Sequence, residues 1–284
     1  MIKFFKLILI LFLLILFPNI GNSLTSSSYL ITNEAILSFD YETASKYYDK
    51  DDLADSSVNA LRKKIISLVN SNKLKQTKKI AEYAVELDEI SEDAWLVLLS
   101  IAKLNNDSNT FKKFLTLKNE NNFEIIEYVF YNNGQFNKNN EDVAKNLFDI
   151  LQFIEISEII YNKNIDYYLF YLNLALNFNP NFNEALFFQA KIYQELQYFI
   201  KAESIYRKIS SQHPLYIDAQ KNIVLIKKKV NKFKEAENLL LALINEYPEN
   251  DSLLVLLADI YRGDKQYEKS IKFYTLVINK NIND

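Results

Sequence analysis

Side chains able to do chemistry are few in this sequence, and their spacing argues against a reaction centre. One histidine, His213, and no cysteine occur in 284 residues, so a zinc site would need carboxylates alone, against that metal's use of imidazole and thiolate. His213 stands beside Pro214, the setting of a surface turn. The acidic run Asp49, Asp51, Asp52 and Asp55 carries the charge for calcium. Counted from Asp49, however, Leu53 falls where a ligand is needed, Ala54 where the loop glycine belongs and Ala60 where the bidentate glutamate should be. A solvated helix end is what remains. With three glycines in the chain, there is no phosphate-binding loop, nucleophile elbow or metalloprotease motif to weigh. No catalytic, cofactor or metal residue is assigned, and an enzyme is not expected.

The sharpest charge feature is Lys227, Lys228, Lys229, Lys232 and Lys234. Lysines at a helix end suit the local dipole; the alternative is an anchor for an acidic partner or anionic lipid. Formal net charge is −3, and residues 1–23 hold Lys3 and Lys6 with no acid, so the remainder carries 31 basic against 36 acidic residues, a net −5. Nucleic acid has no electrostatic case here.

What must position these residues is a repeat. Pro180, Pro214 and Pro248 are spaced by 34 residues. Between them the same types recur in column: Phe199, Phe233 and Tyr267; Ala202, Ala236 and Ser270; Tyr206, Leu240 and Tyr274; Ile209, Leu243 and Val277. Internal periodicity of this length marks a solenoid of one stacked unit. Leu254, Leu257, Ala258 and Tyr261 fall at i, i+3, i+4 and i+7, one face of an α-helix. Phe199, Ala202, Tyr206 and Ile209 do the same in the second half of a unit. Each unit therefore reads as a helical hairpin closed by proline, which lacks an amide hydrogen and disfavours helix before it. The small columns Ala202, Ala236, Ser270 and Ala190, Val224, Ala258 permit close approach of the two helices.

Leu186, Ala190, Tyr193, Ala202, Tyr206 and Pro214, echoed by Leu254, Ala258, Tyr261, Ser270 and Tyr274, resemble the tetratricopeptide repeat (TPR). The resemblance implies an all-α, right-handed superhelical solenoid of antiparallel hairpins. Clear repeats are 181–214, 215–248 and 249–282, within a C-terminal block 142–284. The middle unit departs, with Gln220 and Lys227 where a large apolar and an aromatic residue are expected. Residues 24–131 repeat the theme in worn form: Ala35, Tyr41 and Ala44 in one hairpin, Leu61 to Ala84 in a second, and Trp95, 34 residues after Leu61, opening a third. A signal-like segment at 1–23 followed directly by the hairpin of Tyr29-Leu30, Ala35, Tyr41, Ala44 and Tyr47-Tyr48 is similar to exported bacterial TPR proteins. The Asn-rich stretch 132–141 reads as a linker or loop, and Val143 to Ile160 and Tyr167 to Phe178 as two further helices.

Residues 1–23 read as a signal peptide: Lys3 and Lys6, an apolar run from Leu7 to Phe17, then Pro18 and the small residues Gly21-Asn22-Ser23. Eleven residues rise about 16 Å as a helix, short of a bilayer core of roughly 30 Å. The expected location is the periplasm; an uncleaved leader would instead tether the body to the inner membrane.

In TPR arrays the first helix of each hairpin lines the concave groove. Carried over, the groove residues are Glu184, Phe187 and Lys191; Asp218, Lys221, Asn222 and Leu225; and Val255, Leu256, Asp259 and Arg262. The Lys, Asn, Asn, Lys, Arg set with which some family members grip a peptide carboxylate is matched only at Asn222. Phe187, Leu225, Val255 and Leu256 imply a partly apolar helix or extended segment as ligand. The expected function is that of a protein-binding scaffold or assembly factor of the bacterial cell envelope. The alternative is a structural protein that self-associates through 266–284, where Ile271, Tyr274, Val277 and Ile278 have no further helix to cover them; a piece of a longer array is the other expectation for that end.

Overall fold

The computed structural model describes residues 23–48, 57–118, 120–132, 135–151 and 165–283. Residues 1–22 of the leader expected over 1–23, the acidic run 49–55 and residues 152–160 of the helix expected from Val143 to Ile160 lie outside the described residues; the described part of that helix ends at Asp149. Two compact units, Met1–Asn133 and Gly134–Asp284, divide the chain.

Unit one holds α1 (Ser23–Leu37), α2 (Tyr41–Tyr48), α3 (Val58–Asn70), α4 (Leu74–Leu87), α5 (Glu92–Leu104), α6 (Ser108–Lys118) and α7 (Glu124–Phe130), ending in strand β1 (Tyr131–Asn132). Consecutive helices pack in pairs. Apolar residues at helical spacing bury one stripe of each: Leu61, Ile65 and Leu68 on α3, Ala81 and Ala84 on α4, and Trp95, Leu99 and Ala102 on α5. Trp95 lies 5.3 Å from Phe114, which lies 4.9 Å edge-on to Phe123, and the indole N–H donates to the Glu89 carbonyl at 2.8 Å. The anchor expected to open the third hairpin thus nucleates an aromatic core.

Unit two holds strand β2 (Gln135–Phe136), α8 (Asn140–Asp149), α9 (Ile165–Phe178), α10 (Asn183–Glu195), α11 (Phe199–Tyr206), α12 (Tyr216–Lys229), α13 (Phe233–Glu246), α14 (Asp251–Gly263) and α15 (Tyr267–Asn283). The Asn-rich stretch is internally hydrogen-bonded: Asn137 Oδ1 accepts from the Asn139 N–H at 3.0 Å, and Asn139 Oδ1 caps α8 through the Glu141 N–H at 2.9 Å. α8 packs on α9, and α10/α11, α12/α13 and α14/α15 form successive hairpins. Both small columns are buried, with Ala190, Val224, Ala258, Ala202 and Ala236 inaccessible and Ser270 nearly so.

One helix runs shorter than its spacing implies. α11 stops at Tyr206, because the Lys208 and Ile209 N–H groups tighten onto the Ile205 and Tyr206 carbonyls and Asn183 Oδ1 accepts the Ser210 N–H at 2.9 Å. Ile209 is buried from that turn instead.

The hairpin turns share one construction. Phe39, Asn72, Asn106, Gln197, Asn231 and Lys265 all have positive φ, from 55° to 64°. In every case that residue's N–H bonds three residues back, and the next N–H bonds five back at 2.8–2.9 Å, to Ala35, Leu68, Ala102, Tyr193, Lys227 and Tyr261. This is the Schellman helix stop, made six times among the described residues without glycine. Among them, too, no helix is long and apolar enough to cross a membrane.

Candidate functional site

The expected groove residues are not equally available. Glu184 Oε1 lies 3.4 Å from His213 Nε2, while His213 Nδ1 accepts the Leu215 N–H at 3.2 Å, so the histidine organises a turn. Phe187 is half-buried with its ring edge-on to Tyr206 at 5.6 Å, which makes it partly a packing residue. Asp218 and Lys221 pair at 3.3 Å, and Asn222 Nδ2 donates to the Asp218 carbonyl at 2.8 Å. Asp259 holds Arg262 at 2.6 Å and accepts from the Tyr274 hydroxyl at 2.6 Å. Leu256 packs against the core of α13 and α14. Leu225, 40% exposed, and Val255, 36% exposed, stay open; Lys191 is half-buried and has no ion pair among the described residues.

Leu225 also borders a cavity of about 550 Å³ that spacing did not predict. Its walls are one corner of the hairpin copied along the array. Gln194 and Lys228 are 34 residues apart, as are Phe199 and Phe233, and Glu195, Lys229 and Gly263 form a third such column. Gln197, at the helix stop, and Ile226 complete the lining. The only sequence signals were the basic run and a glycine in a chain that has three. Gly263 matters for space: a β-carbon there would come within 3.0 Å of Lys228 Cε. Lys228 crosses at that point to donate to the Asp259 carbonyl at 3.3 Å, toward the C-terminal end of α14. Lys229 is exposed and has no hydrogen bond or ion pair among the described residues. The Gln194 Oε1 atom is buried without a donor.

Lys227, the departure in the middle hairpin, faces the other way. Its Nζ lies 2.9 Å from Glu203 of α11 and 2.9 Å from Glu235 of α13, and hydrogen bonds to Glu235 and Glu203 raise its pKa. Burial alone would raise Glu203, but the hydrogen bonds from Arg207 and Lys227 outweigh it and hold the carboxyl below the ordinary range. One repeat later the Tyr261 hydroxyl donates to Glu237 at 2.6 Å, and burial, then Glu237, pushes that hydroxyl up to about 12. Glu203 and Glu237 are thus acceptors in one column, each stapled to the next hairpin. The basic run is largely consumed in such pairs: Lys232 with Glu235 at 3.0 Å and Lys234 with Glu237 at 2.7 Å. Among the described residues no cluster of three or more His, Asp or Glu side chains could hold a metal ion.

No family model matches the chain, and no curated protein matches it. Solved structures similar to it include a tetratricopeptide repeat protein from Parabacteroides merdae, 18% identical, covering 78% of this chain and 79% of that one with a TM-score of 0.39. Yeast Tom70 is 16% identical over 90% of this chain and 76% of its own, at 0.38. PilF of Pseudomonas aeruginosa is 13% identical over 79% and 78%, at 0.33. The deciding observation is internal: Gln197, Asn231 and Lys265 place the same helix stop at 34-residue intervals, between helices whose small columns are buried. The fold is tetratricopeptide-repeat-like. Within it, the free positions are the first-helix residues Lys191, Leu225 and Val255 and the corner cavity that shares Leu225.

Proposed function

We propose that this chain is an exported scaffold or assembly factor of the bacterial cell envelope, holding a segment of a partner protein along the first helices of its C-terminal hairpins. The observation that carries the reading is the exposure of Leu225 and Val255, apolar residues on successive first helices beside paired polar neighbours. An apolar stripe with a polar rim is the composition of a peptide-binding surface. The leader-like residues 1–23 support export. In-cell crosslinking followed by mass spectrometry tests it. A dominant foreign partner, lost on Lys191→Glu with Lys221→Glu while the circular dichroism is unchanged, is expected; capture unaffected by those reversals overturns the groove reading. The mature N-terminus from the same sample reports whether residues 1–23 are removed.

A second reading, self-association through α15, is favoured by Tyr267, Ile271 and Ile278, which are 59%, 64% and 56% exposed and share one face of that helix. Val277, on the same segment, is half-buried. Light scattering of Ile271→Asp with Ile278→Asp separates the readings: a dimer that becomes a monomer supports the second, and a wild-type monomer removes it.

A further inference from the structure

We infer that the corner cavity between α10, α12 and α14 is a docking pocket for an acidic–aromatic segment of a protein partner, seating one large apolar side chain and one carboxylate. The inference rests on the protein-binding reading above and narrows it from a surface to a pocket and a chemistry.

The size is right for this occupant. About 550 Å³ falls within the range of pockets that enclose a small ligand, enough for an aromatic side chain with its flanking backbone. The walls divide by chemistry. Phe199, Leu225 and Phe233 supply an apolar surface, against which an aromatic ring gains dispersion and edge-to-face contact. Lys229 is the lining cation with no partner of its own among the described residues, whereas Lys228 already donates to Asp259 and lies over Gly263. Two lysines against Glu195 leave the lining net positive, and a ligand carboxylate is the complement. The orphaned Gln194 Oε1 asks for a donor, and a peptide N–H supplies one.

These requirements sit together in one short stretch of polypeptide. A free lipid would answer the apolar wall and the lysine but bring no row of N–H donors, and a basic segment would meet Lys229 with like charge. The repeat also explains why the pocket is found here. The column of Glu195 and Lys229 loses its side chain at Gly263, so the third hairpin contributes backbone where the first two contribute charge.

The test is fluorescence anisotropy of the full chain with three labelled pentapeptides: Glu-Asp-Phe-Asp-Glu, its Lys-Lys-Phe-Lys-Lys counterpart and Glu-Asp-Ala-Asp-Glu. The first is expected to bind, the other two at least about tenfold more weakly. Lys229→Glu, an exposed change that leaves the fold intact, should weaken the first peptide about tenfold, and Gln194→Met severalfold, while Lys145→Glu, exposed on α8 and outside both the pocket lining and the groove, leaves it unchanged. Binding that is lost on Lys221→Glu but not on Lys229→Glu overturns the pocket and leaves the scaffold reading standing. Equal binding of the acidic and basic peptides, or no binding of any, also overturns the pocket; cellular capture then decides the scaffold reading separately.

Discussion

Lys227 stands where neighbouring hairpins have Tyr193 and Tyr261, Glu235 stands where they have Lys201 and Lys269, and the two side chains meet at 2.9 Å. In the flanking hairpins the same two places make a cation–π contact, with Lys201 Nζ 4.0 Å from the Tyr193 ring centre and Lys269 Nζ 4.9 Å from that of Tyr261. The middle hairpin has exchanged both members of the pair, so its departure from the repeat is compensated. Lys227→Tyr or Glu235→Lys alone should lower the melting temperature, the second more, because it sets two ammonium groups together. The double variant should recover most of the loss; thermal melts that simply add would refute the coupling.

Acid should loosen this corner first. Hydrogen bonds from Lys227 and Lys232 hold Glu235 below its usual value of 4.5, and those from Lys234 and Tyr261 do the same for Glu237. A depressed folded pKa means that the stabilisation is complete above 4.5 and is lost as pH falls through the folded value. Lys227→Met should therefore flatten the fall in melting temperature between about pH 5 and 3, measured by circular dichroism.

Unit one holds the opposite case. Asp93 is buried beside Arg62, and burial raises its pKa despite the guanidinium. Arg62→Ala takes the guanidinium away from that buried carboxylate and should cost about 2–3 kcal/mol at pH 7. The raised folded pKa puts the carboxyl's favourable state at low pH, so the variant's stability should rise as pH drops from 7 towards 5; Asp93→Asn should be nearly neutral. A denaturant series that ranks the two substitutions the other way would contradict the burial argument.

Much of this was legible in residue spacing, and what was not has physical causes. Pro180, Pro214 and Pro248 and the buried alanine columns gave the hairpins and their register, because small residues and helix breakers act through sterics alone. The helix stops were silent: Gln197, Asn231 and Lys265 carry no glycine to announce a left-handed backbone. The cavity was hidden for another reason, since its lining comes from three hairpins and only stacking brings Gln194, Lys229 and Gly263 to one place. Of the expected groove, spacing found the helices but not the local pairs that occupy Asp218, Lys221, Asp259 and Arg262.

The helix stops make a prediction of their own. A lysine in the left-handed region is strained by about 1 kcal/mol relative to glycine. Lys265→Gly should raise stability by roughly 0.5–1 kcal/mol, whereas Asn231→Gly should change little, since asparagine tolerates that backbone. Equal effects in urea titrations would show that side-chain contacts dominate both turns.

Ala202 is inaccessible where α10 meets α11. Ala202→Arg combines overpacking with an unpaired charge and should cost about 3 kcal/mol or more. An unchanged urea midpoint would mean that the two helices meet elsewhere.

The acceptor column that begins with Glu203 and Glu237 reaches Ile271 in the third hairpin, and an aliphatic side chain accepts nothing. Glu203 suits a successor bearing Lys227, Glu237 one bearing Tyr261. The three units are therefore not interchangeable bricks: placed after the third, the middle unit would press its ammonium against isoleucine. Their sequence along the chain is written into the joints, so a shuffled array would keep every hairpin and still misfit at its seams.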